Sequence, residues 1–89
     1  MRAVISVIGH DRVGILAHVS TACAKANVNI IDVTQSVLQE MFVMVMLVDI
    51  TDMSVDFPLL QQKMKEIGEE TGTVIHVMHE DIFQSMHRI

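Results

Sequence analysis

The order in which two hydrophobic periodicities alternate along the chain is the feature that most restricts its fold. Four segments rich in β-branched and other apolar residues are predicted strands, namely Ala3–Ile8, Ile30–Val37, Met41–Ile50 and Val74–His79. Segments with apolar residues at helical spacing separate the first strand from the second and the third from the fourth. Because Leu38 to Glu40 is short enough for a hairpin, the predicted order is βαββαβ.

The two helical segments carry end signals as well as periodicity. The first has an apolar stripe at Ile15, Val19, Ala22 and Ala26 and ends at Asn27 to Asn29. The second has one apolar face, formed by Phe57, Leu60, Met64 and Ile67. Asp56 is its predicted N-cap, Pro58 fits its first turn, and Gly72 is its predicted exit.

The βαββαβ order predicts an α+β, ferredoxin-like sandwich: a four-stranded antiparallel sheet with two helices on one face. A last segment, Glu80 to Ile89, predicts a short third helix, because Ile82, Phe83, Met86 and Ile89 share one side. Acidic residues at its start and His87 and Arg88 at its end match the helix dipole. We therefore expect a domain over residues 1–79 and a C-terminal helical extension over residues 80–89.

The third predicted strand is apolar on both faces. Phe42, Met44, Met46 and Val48 face one way, and Met41, Val43, Val45 and Leu47 face the other. A sheet with one solvated face has strands that alternate between apolar and polar residues, so the second face here needs a cover. We expect a homodimer with sheet or edge contacts between copies. The alternative is a monomer in which the third helix alone covers this face.

Composition limits the possible partners. The 89-residue chain has a net charge of -5 and only 3% aromatic residues, which disfavours direct binding to nucleic acid. The longest apolar run, Met41 to Val48, is too short to span a bilayer, so no membrane partner is expected. A single cysteine and the lack of a signal-peptide pattern predict a cytoplasmic protein.

Histidine, serine and cysteine, which act in the catalytic and metal sites of many proteins, do not form a recognisable catalytic or metal-binding pattern in this sequence. His76 and His79 point to opposite faces of a strand, which disfavours a shared metal ion. His18 and Ser20 lie on different faces of a helix, and no third catalytic member is apparent. Cys23 lies near the apolar stripe of the first helix and is interpreted as a small hydrophobe. We expect no enzyme activity, no catalytic residues and no metal.

The segment GHDRVGIL, residues 9–16, joins the first strand to the first helix. It matches the first half of a phosphate-binding P-loop, but Ile15 and Leu16 stand where the lysine and hydroxyl residues belong. The dinucleotide pattern G-x-G-x-x-G is also absent, since Asp11 and Arg12 interrupt it. No nucleotide cofactor is therefore expected.

The start of the first helix has the features of a weaker anion site. Gly14 leaves the first N–H groups of the helix open to a carboxylate, and Asp11 would attract an ammonium group on the same ligand. A zwitterion satisfies both conditions. The alternative is purely structural: Asp11 caps the helix and Gly14 permits a tight turn.

The segments IGHDRVGIL and ANVNIIDVTQ, at this separation, resemble those of an ACT domain, a regulatory module that binds amino acids. The resemblance covers residues 2–79 and implies the βαββαβ fold and a ligand at the interface of paired subunits. It implies that the first loop and the start of the neighbouring subunit's second strand contact the ligand. The implied ligand-binding residues are Gly9, Asp11, Arg12, Gly14, Ile15, Leu16 and Asn29, the last from the partner.

This chain departs from the serine-binding members of that family at two loop positions. It has Gly9 and Asp11 where those members have His and Asn, so a side-chain donor is lost and a charge is gained. The resemblance therefore implies a non-catalytic module for a small amino acid or similar zwitterion without naming serine. The alternative function is a ligand-free module that docks on a protein partner, such as a regulator or an enzyme.

Overall fold

The computed structural model describes residues 1–10 and 13–86. The elements are β1 (Arg2–His10), α1 (Ile15–Lys25), β2 (Asn29–Leu38), β3 (Met41–Asp49), α2 (Phe57–Thr71), β4 (Thr73–His79) and α3 (Glu80–Met86). The predicted βαββαβ order and the short third helix are confirmed. His87, Arg88 and Ile89 at the end of the predicted third helix lie outside the described residues, as do Asp11 and Arg12 of the first loop. None of the described helices is long and apolar enough to cross a membrane.

The strands form one antiparallel sheet in the order β2-β3-β1-β4. The hairpin between β2 and β3 turns at Gln39 and Glu40. Gln39 has a positive φ of 58°, and positive φ angles are common in two-residue hairpin turns. A β-bulge interrupts the β2–β3 register between Ile30 and Asp32. The central strands are therefore β3 and β1, while β2 and β4 form the two edges.

The hydrophobic core lies between one face of the sheet and the helices α1 and α2. Phe42, Met44, Met46 and Val48 of β3 face it, as the alternation of β3 predicts. Cys23 is fully buried in this core, and burial raises the pKa of its thiol to about 11. The thiol therefore stays protonated and packs as a small apolar group.

The ends of α2 follow the predicted signals. The Asp56 carboxylate accepts a hydrogen bond from the N–H of Leu59 at 2.9 Å, and Pro58 lies in the first turn. Gly72 ends the helix with a φ of 71°, which glycine adopts at little cost. These contacts fix where α2 begins and where β4 starts.

We call the other side of the sheet, away from α1 and α2, the open face; it carries Val4 and Ile8 of β1, Val43 of β3 and Val74 of β4. Helix α3 contacts β1 and β4. Val4 is only 4% exposed although it lies outside the core cluster between the sheet and α1 and α2. Helix α3 therefore covers the end of the open face near Val4, and a paired contact from Arg2 to Glu80 at 2.9 and 3.0 Å holds it there.

Candidate ligand site

The first turn of α1 begins at a glycine in the left-handed conformation. Gly14 is the N-cap with a φ of 89°, and its carbonyl accepts the first helical hydrogen bond from the N–H of His18 at 2.9 Å. The N–H groups of Ile15, Leu16 and Ala17 therefore precede the first intrahelical donor. Gly14 has no side chain to accept from them, and backbone donors at a helix start of this kind are a common anion-binding arrangement in proteins.

The two residues after Gly14 have different roles. Ile15 is 2% exposed and belongs to the core, so only its backbone faces outward. Leu16 is 39% exposed, so its side chain lies beside the helix start. A bound molecule at this position would meet backbone donors with one apolar side chain next to them.

Gly9 has a packing reason for lacking a side chain. A Cβ atom on Gly9 would lie 2.8 Å from Thr73 Cγ2 and 3.2 Å from the Gly72 carbonyl oxygen. Gly9 pairs with Thr73 in the β1–β4 register, so the close approach of these strands requires glycine. Of the two glycines in this segment, Gly9 therefore serves strand packing and Gly14 begins the helix.

Asn29 lies at the opposite end of the sheet from the first loop. It pairs with Asp49, which pairs with Arg2 at the start of β1, whereas Gly9 lies near the end of β1. Helix α1 spans roughly 16 Å between these ends, from 1.5 Å per residue. Within one chain, Asn29 and Gly14 are therefore far apart, as expected if Asn29 acts in the partner's site.

The surroundings of Asn29 are polar. A depression of about 350 Å³ is lined by Asn29, Asn27, Asp49 and Asp52 together with Ala24 and Val28. The hydroxyl and N–H of Thr51 donate to the Asp49 carboxylate at 2.6 and 2.9 Å, and these bonds lower the pKa of Asp49. The start of β2 therefore lies beside an ionised carboxylate.

A groove next to Gly14 was not predicted from the sequence. It runs between α1 and α2, has a volume of about 400 Å³, and is lined by Gly14, Ala17, His18, Thr21, Ala22, Lys25 and Ile67. The signal was present in the spacing of Gly14, His18, Thr21 and Lys25, which recur every three or four residues along α1. His18 and Lys25 of α1 therefore line a groove that also includes Gly14.

Two of the residues that could belong to a catalytic or metal site, His79 and Ser20, are held in local contacts. His79 stacks on Phe57 with ring centroids 4.1 Å apart and an interplanar angle of 12°. His76 lies on the opposite face of β4, as the strand alternation predicts. The Ser20 hydroxyl donates to the carbonyl of Ala17 at 3.2 Å on its own helix.

The two sheet edges differ in how their backbone groups are covered. At β4, the Gln61 side chain of α2 donates to the Val77 carbonyl at 3.0 Å, and a Cβ on Gly68 would lie 2.7 Å from the Thr73 carbonyl oxygen. At β2, the residues from Thr34 to Leu38 are all exposed. The N–H of Val33 donates to the carboxylate of Asp32 at 2.9 Å, which shows that it points away from β3.

Comparison with known proteins identifies the family. Residues 2–78 match the model of the ACT domain. A UPF0237 protein of Methanocaldococcus jannaschii is 49% identical over 88 residues, which cover 99% of this chain and 98% of that protein. A solved ACT domain protein from Streptococcus pneumoniae has a TM-score of 0.81 and 36% identity, with 94% of each chain covered.

A more distant structure shares the fold alone. The regulatory subunit of aspartate kinase from Thermus thermophilus has a TM-score of 0.65 and 22% identity, and the match covers 85% of this chain and 49% of that one. The family model covers residues 2–78, and the strand order β2-β3-β1-β4 with its helices is the fold of that family. The chain therefore belongs to the ACT domain family of regulatory ligand-binding modules.

Proposed function

We propose that this protein is a non-catalytic, cytoplasmic regulatory module that binds a small amino acid at the first strand–helix loop, between two copies of the chain. The observation that carries the proposal is the start of α1, where Gly14 has a φ of 89° and leaves the first backbone donors without a capping side chain of its own. The ligand carboxylate accepts from the Ile15 and Leu16 amides. Gly9 forms a backbone wall of the site, while Asp11 and Arg12 supply charged groups.

The second subunit joins through the β2 edge. Antiparallel pairing of two β2 strands brings the first residues of one β2 to the sheet end that carries the other copy's Gly9 and Gly14. Asn29 of the partner subunit then contacts the bound amino acid. The exposure of Thr34 to Leu38 supports this choice of edge, since exposed strand edges pair readily with another chain.

The affinity expected of such a site is modest. Charge-assisted hydrogen bonds contribute about 1.5 to 3 kcal/mol each, and ordering the ligand removes part of this gain. Three or four of them lead to a dissociation constant on the order of 100 μM, or roughly 5 to 6 kcal/mol. That range suits a sensor of metabolites at sub-millimolar concentration.

The first experiment is a thermal-shift and calorimetry screen of the wild-type protein with the twenty amino acids. We expect at least one amino acid to raise the melting temperature in a dose-dependent way. Asn29→Ala is expected to abolish the shift, whereas Gln62→Ala, an exposed change on α2, retains it. A flat response to all twenty would favour the alternative, a ligand-free module that docks on a protein partner.

A mixing experiment tests whether the site is shared between subunits. Leu16→Asp places a carboxylate beside the helix start, repels an anion, and is compatible with an N-terminal helix turn. Leu16→Asp and Asn29→Ala are each expected to lose binding when pure. Mixed dimers contain one intact site, so co-expression restores part of the binding. If the mixture stays inactive while both variants remain dimeric, the shared-site arrangement is wrong.

A further inference from the structure

The open face is covered at one end and bare at the other. Along β1, exposure on this face rises from 4% at Val4 to 40% at Ile8, with Ser6 between them half-buried. On the flanking strands, Val74 is 57% and Met41 is 41% exposed at the same bare end. Helix α3 is therefore a raised step at one end, and Ile8, Met41, Val43 and Val74 form a recess at the other.

The four residues of the recess are apolar and carry no charge in a chain with a net charge of -5, and the exposed His10, which pairs with Met41, borders the recess at the end of β1. Val74, Ile8 and Val43 form one continuous row across three strands, and Ser36 extends this row on β2. The exposed parts of the recess amount to roughly 300 Å² of apolar surface, which is typical of the largest patch on a monomer and is often functional. Two acidic copies can meet here without placing like charges against each other.

The step and the recess are complementary under a twofold rotation. When the axis lies between two facing sheets and perpendicular to their strands, the bare end of each sheet faces the α3 end of the other. Helix α3 carries Ile82, which is 52% exposed and lines a depression with Met1, Arg2 and His79, so the step has an apolar side chain available to a second copy. An axis parallel to the strands would instead set α3 against α3.

We infer that α3 of one copy docks in the recess of a second copy, so that two β2-paired dimers join face to face into a tetramer. This inference rests on the edge pairing of the proposed function. Two isologous interfaces with perpendicular axes generate a closed tetramer. The two dimers then share two such face-to-face contacts, and each contact pairs two α3 helices with two recesses; specific interfaces of standard size bury about 1,200 to 2,000 Å² in total.

The test is the mass of the full chain in solution, measured by light scattering. The wild type is expected at four times the chain mass of 10.0 kDa, and Ile8→Glu at half that value with amino-acid binding retained. Leu59→Glu is the matched control, because Leu59 is also 40% exposed but lies on α2. The inference is overturned if Ile8→Glu has the same mass as the wild type, or if the wild type is a dimer that binds its ligand; the proposed function would survive either result.

A cross-linking experiment tests the direction of docking and also covers the case in which Ile8→Glu fails to fold. Copies with Ile82→Cys are co-expressed with copies with Val74→Cys and treated with a short bis-maleimide; the native Cys23 is buried and unreactive. We expect a product that joins the two variants. Val74→Cys alone is expected to give none. Efficient joining of Val74→Cys to itself, or no mixed product, would overturn the step-in-recess arrangement.

Discussion

The β4 edge of the sheet lies under α2, whereas the β2 edge faces outward along most of its length. Helix α2 covers β4 twice, through the Gln61 side chain on the Val77 carbonyl and through the close approach of Gly68 to Thr73. At β2, Asp32 uses its own carboxylate to satisfy the Val33 N–H. Because an uncovered edge is a template for pairing, the difference indicates which side of the sheet is available to a second chain.

This difference depends on the packing of the two helices. Helix α2 contacts β4 closely because Gly68 faces it without a side chain. Helix α1 contacts β2 only sparsely, and beyond Val33 the strand is exposed even at positions on the helix side of the sheet, such as Val37. Helix α2 therefore covers the β4 edge in part, at Thr73 and Val77, whereas the β2 edge beyond Val33 is uncovered.

The largest expected effect is that of Gly68→Ala. An alanine in a helix interior ordinarily stabilises by about 1 kcal/mol relative to glycine. Here its Cβ would lie 2.7 Å from the Thr73 carbonyl oxygen, which is backbone and cannot rotate away, so we expect a net loss of about 2 to 3 kcal/mol in the free energy of unfolding. Urea denaturation measures it, with Glu69→Ala as the control on the same helix. A stabilised Gly68→Ala would show that α2 does not press on the β4 edge.

The second effect is that of Gln35→Pro on the free edge. Gln35 is two residues from Val33, so strand alternation points its N–H outward as well, and proline removes that donor without breaking the ladder to β3. Twofold pairing loses this contact on both copies, about 2 to 3 kcal/mol, or on the order of 30- to 150-fold in the dimer dissociation constant. Sedimentation measures the change, and circular dichroism checks that the fold is kept.

Thr34→Pro is the control for Gln35→Pro, because the N–H of Thr34 in the wild type points toward β3. That variant is expected to lose stability as well as association. If Gln35→Pro associates like the wild type, the β2 edge is not the pairing surface.

A smaller effect is expected for Gln61→Ala. The change removes the side-chain donor to the Val77 carbonyl, which we expect to lower the free energy of unfolding by about 1 kcal/mol. Gln62→Ala is the matched control, since it is the next residue on α2 and is exposed. Equal stabilities of the two variants would mean that the Gln61 contact does not protect the β4 edge.

The smallest effect is expected for Asp32→Asn. The change removes a negative charge from the free edge of both copies, and charged edge residues oppose pairing. We expect dimerisation to strengthen by a few tenths of a kcal/mol, more at low salt than at high salt. Titration of the dimer at two salt concentrations measures it. Weaker dimerisation of Asp32→Asn would indicate that the carboxylate takes part in the interface.

Most of the secondary structure could be predicted from local patterns. The alternation in β3, the stripe of α1 and the Asp56 N-cap depend on residues a few positions apart, so they can be read from the sequence alone. The predicted strands were short by one or two residues at most ends, because ladder hydrogen bonds extend past the apolar residues. The bulge at Ile31 was not predicted, since its sequence resembles any regular strand.

The candidate site was only partly predictable. Gly14 could be assigned to the helix start because glycine is a common N-cap residue and the apolar helical stripe begins directly after it. The role of Gly9 could not, because its neighbour Thr73 comes from a strand far along the chain. The groove beside Gly14 includes Ile67 of α2, so it exists only once the two helices pack together.

The sequence by itself determined the order of elements, the two-faced apolar character of β3 and the glycine at the start of α1. These depend on periodicity and on backbone preferences, which act within a few residues. Only the tertiary structure decided which edge of the sheet is covered, where α3 lies and how far Asn29 is from Gly14. Those outcomes depend on contacts such as Gln61 with Val77 and Arg2 with Glu80, which form only after the chain has brought distant residues together.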